Sequence, residues 1–251
     1  MGFDAGHKSG QPPYESLTVE YECAGIMNKV EVKAWLGFSF LAVAMGLLLF
    51  IPAGTIDYWQ AWAFLAVYFT GSLFIVLYLV RRDPALLQRR MRGGPAAEKK
   101  KEEKVIMLIA SLGFIALLVV PALDHRMKWS HIPVSVILLG DILVALWWFI
   151  VFIVFRENSF ASATIEVAEG QTVVSTGPYA VVRHPMYAGG LLLVVGTPLA
   201  LGSCWGLLAI AAMMPVLIWR LFDEERFLAR KLPGYTEYCA GVRWRLIPGV
   251  F

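Results

Sequence analysis

The sequence predicts an all-α integral membrane protein of about six transmembrane helices, with the last two closed into a C-terminal helical hairpin. Three observations predict it. Hydrophobic residues fill 58% of the 251 positions, charged residues only 16%, and the mean hydropathy is +0.64, a balance that suits a chain solvated by a bilayer. Apolar windows of about 17 to 25 residues, the length a helix needs to cross, recur along the chain. Nine Trp, nine Tyr and fifteen Phe add the rings that settle at headgroup level and fill lipid-facing surfaces.

Residues 1–33 read as a polar, mobile lead. They lack an apolar central region and a small-residue cleavage site, so they do not read as a signal peptide. Residues 34–155 hold four predicted spans, from about Trp35 to Pro52, Tyr58 to Val80, Val105 to Leu123 and Pro133 to Phe155, with a basic loop at 81–104. The fifth window, Met186 to Leu201, has 16 residues, or about 24 Å, short of a ~30 Å hydrocarbon core. Pro198 bends it, Gly202-Ser203 turns the chain, and Cys204 to Phe222 returns, so the two form a hairpin with both ends on one side.

Basic residues orient the whole. The loops at 1–33, 81–104, 156–185 and 220–251 carry 20 of the 22 Lys and Arg, which leaves Arg126 and Lys128 for the other side. By the positive-inside rule both termini are then cytoplasmic. The loop at 81–104 reads either as a solvated topogenic segment or as an anionic-lipid patch. Cys23, Cys204 and Cys239 are scattered, with no spacing that suggests a metal site or a disulfide framework.

Two non-apolar stretches remain for soluble chemistry, Arg156 to Pro185 and Arg220 to Phe251, and the hairpin brings them to one interface. Arg220 ends the last apolar segment and Glu224 follows at i+4, on the same helical face. They read as a site pair, or as a snorkelling Arg with a surface partner. Phe222, Phe227, Leu228 and Leu232 among charged neighbours resemble an interfacial amphipathic helix. Pro185 suits the first turn of a helix, which sets His184 at an N-terminus whose free N–H groups can seat polar ligand atoms, while Ala188-Gly189-Gly190 permits close approach. Asp141 lies inside the fourth span, where a carboxylate is expensive, and is open to a structural or a functional reading.

Taken in order, GPYAVVRHPMYAGG, an apolar hairpin and DEERFLARKLPGYTEYCAGVRWRLIP resemble the isoprenylcysteine carboxyl methyltransferase family and the related phospholipid methyltransferases. The motifs are Arg183-His184-Pro185-Met186-Tyr187, the adjacent Glu224-Glu225 and Tyr235-Thr-Glu-Tyr238, over roughly residues 170–251. The resemblance implies a methyltransferase core at 156–251 whose cytosolic segments bind S-adenosylmethionine, with a lipid-like methyl acceptor entering laterally from the bilayer. By matching positions, Gln171, Thr172, Val173, Val174, Tyr179, His184, Pro185, Met186 and Tyr187 should line the cofactor. Glu224 should face it from the far arm of the hairpin, and Arg220, the catalytic and substrate-binding residue, should hold the acceptor. The implied partners are that acceptor and membrane lipids, without metal or nucleic acid. One departure stands out: Gly241 occupies a position where the family commonly has an arginine, so bracing of the tail falls to Arg243 or Arg245.

This chemistry suits the residue types. Methyl transfer from a sulfonium to a carboxylate is an in-line displacement in which positioning supplies much of the rate, and a guanidinium fork can aim the carboxylate. An N-methyltransferase acting on a phospholipid amine would instead need a proton acceptor such as Glu224 or Glu225. A sterol-reductase-like NADPH enzyme and a non-enzymatic transporter or scaffold are the remaining readings; against the last, the chain shows no convincing inverted repeat.

Overall fold

The computed structural model describes residues 13–93 and 101–251, and along 13–29 the helical course of the backbone alone. In chain order the helices are α1 (Pro13–Ala53), α2 (Trp59–Arg82), α3 (Pro84–Met91), α4 (Lys101–Met127), α5 (Val134–Glu157), α6 (Pro185–Ala200), α7 (Gly206–Lys231) and α8 (Tyr235–Gly241), with a single 3-10 turn at Gly177–Ala180. Among the described residues there is no strand. Val30–Ala53 of α1 and the whole of α2, α4, α5 and α7 are long and apolar enough to cross a bilayer, while α6 is the shorter apolar helix. Side chains such as Phe40, Phe74 and Phe149 face outward, as they can where the surroundings are as apolar as the core.

Three boundaries differ from the sequence expectation. Helix α1 begins at Pro13, so most of the expected polar lead is helical; an apolar window registers only the part of a helix that sits in oil. The first twelve residues of that lead, and 94–100 of the basic loop, lie outside the described residues. Within the loop, 84–91 form α3. Residues 222–231 do not make a separate interfacial helix but continue α7 to Lys231.

Helices α5 and α6 pack backbone to backbone. A Cβ on Gly140 would stand 2.2 Å from the Ala200 nitrogen and 2.8 Å from the Gly196 oxygen, so only glycine permits this crossing. The α6–α7 turn runs through Gly202 at φ +72°, a left-handed conformation that glycine adopts at little cost, and Ser203 N–H donates to the Pro198 carbonyl at 2.9 Å.

At this turn the bundle is clasped. The buried carboxylate of Asp124, near the end of α4, accepts from the Ser130 N–H at 2.7 Å, from the Ser130 hydroxyl at 2.6 Å and from the Ser203 hydroxyl. Ser130 Oγ accepts in turn from the Cys204 N–H, and Tyr58, stacked on His125, donates to the Leu201 carbonyl at 2.6 Å. Glu103, in the first turn of α4, lies 21 residues before Asp124, about 31 Å along the helix. Two ends of the bundle are thereby distinguished, and the site described next occupies the other one.

Candidate functional site

Each wall of the site starts from a local signal in the chain. Asp83 ends α2 and caps α3: its side chain accepts from the Leu86 N–H at 2.8 Å, and Pro84 takes the first helical position, where its missing N–H costs nothing. The short α3 therefore leaves α2 at once, buries Leu86 and Leu87, and carries Arg89 and Arg90 back toward the loop after α5. There the two guanidiniums donate to the Ser159 and Ser162 carbonyls, and that loop becomes a wall.

His184-Pro185 starts α6 with proline at the first helical position, as the sequence predicts. The imidazole does not cap the helix. It turns to Glu225, with Nε2 at 3.3 Å from Oε1. The same carboxylate takes Arg183 Nη1 at 3.2 Å and Arg245 Nε at 2.9 Å, so one acidic side chain of α7 gathers two guanidiniums and an imidazole. Arg183 also donates through Nε to the Val242 carbonyl and through Nη2 to the Cys239 carbonyl. The Arg183 and His184 N–H groups donate to the Trp244 and Arg245 carbonyls at 2.9 and 3.0 Å. The tail is thus laced along the entrance of α6, and of the two arginines expected to replace the one missing at Gly241, Arg245 reaches the carboxylate while Arg243 lies over the Trp244 ring.

These walls enclose a cavity of about 370 Å³, within the ~300–1,000 Å³ range of small-molecule sites. Every residue to which the resemblance assigned a role lines it: Gln171 to Val174, Tyr179, His184 to Tyr187, Arg220 and Glu224. Tyr187 links the two that sequence spacing singled out on α7. Its hydroxyl donates to Glu224 Oε2 at 2.7 Å and lies within electrostatic reach of the Arg220 guanidinium. Arg220, buried, donates through Nη1 to Glu103 Oε2 at 3.1 Å and through Nη2 to the Ala163 carbonyl at 3.1 Å. Glu103 is itself 2% exposed, so the ion pair is held out of water.

Aromatic residues close the remaining side. Tyr238 donates to the Tyr179 carbonyl at 2.8 Å, and Tyr179 Oη accepts from Asn158 Nδ2 at 2.9 Å. Burial pushes the Tyr179 hydroxyl up to about 12 and raises that of Tyr238, so both act as neutral hydrogen-bonding groups. Leu228 and Leu232, apolar residues of the expected interfacial helix, line the cavity and pack with Tyr235 and Tyr238.

Sequence reasoning missed Glu103, Arg90 and the wall from Asn158 to Glu166. Glu103 sits in a KKKEEK run that looks like any solvated charge cluster, and Arg90 in a run of basic residues that serves topology equally well. Glu225 was legible only as the neighbour of Glu224. Asp141 lies elsewhere, 17 residues before Asn158 on α5, about 26 Å along the helix, buried and with Oδ1 taking no hydrogen bond.

Comparison with known proteins bears on the same region. The phospholipid methyltransferase family model matches residues 135–233, from α5 to just past α7. Protein-S-isoprenylcysteine O-methyltransferase B of Arabidopsis thaliana is 34% identical over 147 residues, 54% of this chain and 68% of the plant protein. The cobalt-zinc-cadmium resistance protein CzcN of Cupriavidus metallidurans is 33% identical over 75 residues, 28% of this chain, and the match spans only 33% of CzcN.

Proposed function

The chain belongs to the isoprenylcysteine carboxyl methyltransferase family, and on that premise we propose that it is an integral-membrane, S-adenosylmethionine-dependent methyltransferase. Its acceptor is lipid-like, of the isoprenylcysteine type, and is methylated on a carboxylate oxygen. By the positive-inside rule both termini are cytoplasmic, and so is the cavity end, which the basic residues of α3 and of the segment after α7 adjoin.

One observation carries this reading: a guanidinium and a carboxylate, one turn apart on α7, line a single cavity at the entrance of α6, where Tyr187 bonds the carboxylate. The residues suit the cofactor. Glu224 offers a carboxylate to an ammonium or to ribose hydroxyls, Tyr179 and Tyr235 offer aromatic surface, and the volume is adequate for a nucleoside with an amino-acid arm. When bound, S-adenosylmethionine supplies an electrophilic methyl group on sulfur.

The chain's own part is to hold and align. Arg220, oriented by Glu103 and the Ala163 carbonyl, receives the acceptor carboxylate and directs one oxygen into the cavity. Because the acceptor is already an anion, no side chain need take a proton. Glu225, with Arg183, His184 and Arg245, keeps the tail over the site and limits water there.

Calorimetric titration of the detergent-purified protein with S-adenosylhomocysteine, beside NADPH and repeated on Glu224→Ala, tests the reading. Saturable binding of the nucleoside alone, weakened in the variant, is the expected result. Binding of NADPH instead would move the chain to the reductases, and binding of neither by monodisperse protein would favour a non-enzymatic role. The family model favours a second acceptor class, a phospholipid amine, for which Glu224 would serve as proton acceptor. Transfer of labelled methyl to an amine headgroup in place of a carboxylate would select it.

A further inference from the structure

Arg90 faces the same cavity and stands apart from its other cations. It comes from α3, in the N-terminal half of the chain, outside the matched family region at 135–233. Its Nη1 donates to the Ser162 carbonyl at 3.0 Å, and Arg220 Nη2 donates to the next carbonyl, that of Ala163, at 3.1 Å. Two guanidiniums therefore grip adjacent peptide units in the wall of the cavity they both line. The approach is fixed from the α3 side as well, since a Cβ on Gly93 would stand 2.8 Å from the Ala163 Cβ.

Charge is where the two differ. Arg220 has Glu103, and Arg183 and Arg245 have Glu225. Among the described residues no carboxylate pairs with Arg90, whose other contact is the Phe155 ring, 5.3 Å below the guanidinium. One carbonyl engages one of its five N–H donors. A half-buried guanidinium that lines the cavity beside a second one, with no counter-ion among the described residues, has donors left over that an anionic ligand can engage. Burial, the largest influence on it, lowers its proton affinity; the Tyr179 and Tyr187 hydroxyls act against that shift and the Arg220 cation adds to it.

Resting on the methyltransferase reading, the geometry points to Arg90 as a second anion-binding group of the acceptor site, sharing the acceptor carboxylate with Arg220. One fork holds the oxygen that reacts and the other the oxygen that does not. A lone pair of the reacting oxygen forms the new O–C bond as the methyl carbon's bond to sulfur breaks, the bonding pair stays on sulfur, and no proton moves. The carboxylate thereby becomes a neutral ester, the grip of both guanidiniums weakens, and product release is favoured. An ammonium acceptor would meet two like charges at the same place.

The test uses the full chain in nanodiscs, saturated with S-adenosylhomocysteine and titrated with an S-farnesylated N-acetylcysteine and with its carboxamide. Wild type should bind the acid about tenfold more tightly than the amide. Arg90→Gln should lose most of that preference by weakening the acid, with amide and S-adenosylhomocysteine affinities within about threefold of wild type. Because Arg90 also braces Ser162, the reciprocal variant Arg220→Gln leaves that brace intact, and in it a residual preference of about threefold should persist, to vanish in the double variant. Equal weakening of acid and amide by Arg90→Gln, or no preference left in Arg220→Gln, would reduce Arg90 to a wall brace and overturn the proposal. Wild type that binds S-adenosylhomocysteine but favours the amide overturns it while sparing the methyltransferase, whereas failure to bind S-adenosylhomocysteine removes the reading on which both rest.

Discussion

At the end of the bundle where α4 finishes, Asp124, Ser130 and Ser203 bond to one another and to the backbone, and Tyr58 fastens the turn after α6. Where α4 begins, Glu103, Arg220, Tyr187 and Glu224 also form a chain of contacts, but that chain runs along the wall of a cavity. Both ends bury charged groups. At the first, the carboxylate takes its bonds from protein donors on the loop after α4 and the turn after α6, so the cluster reads as a clasp. At the second, the partners orient side chains whose remaining bonding capacity points into open space. Burial of polar residues does not by itself separate the two ends; the cavity beside the second does.

The sharpest way to break this comparison is Arg220→Ala. Turnover should fall at least about a hundredfold, the scale of losing one aligned donor at a reacting centre, while S-adenosylhomocysteine affinity stays within about threefold; methyl-transfer and titration assays on one preparation separate the two. Glu224→Ala should do the converse, raising the dissociation constant about tenfold, or ~1.4 kcal/mol, with a smaller rise for His184→Ala because its ring acts through Glu225. Equal cofactor affinity in wild type and all three variants would falsify the site assignment.

The clasp predicts the opposite pattern. Asp124→Ala leaves the donors of half-buried Ser130 and buried Ser203 without their acceptor, a loss of ~2 to 3 kcal/mol. Thermal unfolding should shift down by several degrees while cofactor affinity, measured below the transition, holds. A change in affinity with unchanged melting would mean that the two ends are coupled.

A smaller effect separates two thiols. Cys204 is exposed beside the clasp, whereas burial raises the Cys239 pKa at the tail. Below that raised value Cys239 is mostly thiol, so at mildly alkaline pH iodoacetamide should modify Cys204 faster, as peptide mapping over time would record. Glu225→Ala, which releases Arg183 and Arg245, should narrow the gap by loosening the tail.

Much was legible in the chain because the signals are local. Spans show as apolar windows, the hairpin as proline and glycine between two of them, and the entrance of α6 as His184-Pro185. The residues of the resemblance and Arg220 line one cavity because short motifs on either side of a tight hairpin have few ways to be far apart. What stayed hidden depends on separation along the chain. Glu103 lies 117 residues from Arg220, and Arg90 72 from Ser162. Their roles exist only once α3 and α4 pack beside the core.

Composition and hydrophobic length by themselves determined that this is a helical membrane protein and which two stretches remain for soluble chemistry, since hydrophobic length and turn chemistry are written residue by residue. Only the tertiary structure decided that Glu225 gathers the tail, that Glu103 orients Arg220, and that Arg90 stands without a carboxylate among the described residues. Charge pairing in a poorly hydrated site depends on distances of a few ångströms between distant parts of the chain, and no one-dimensional spacing encodes them.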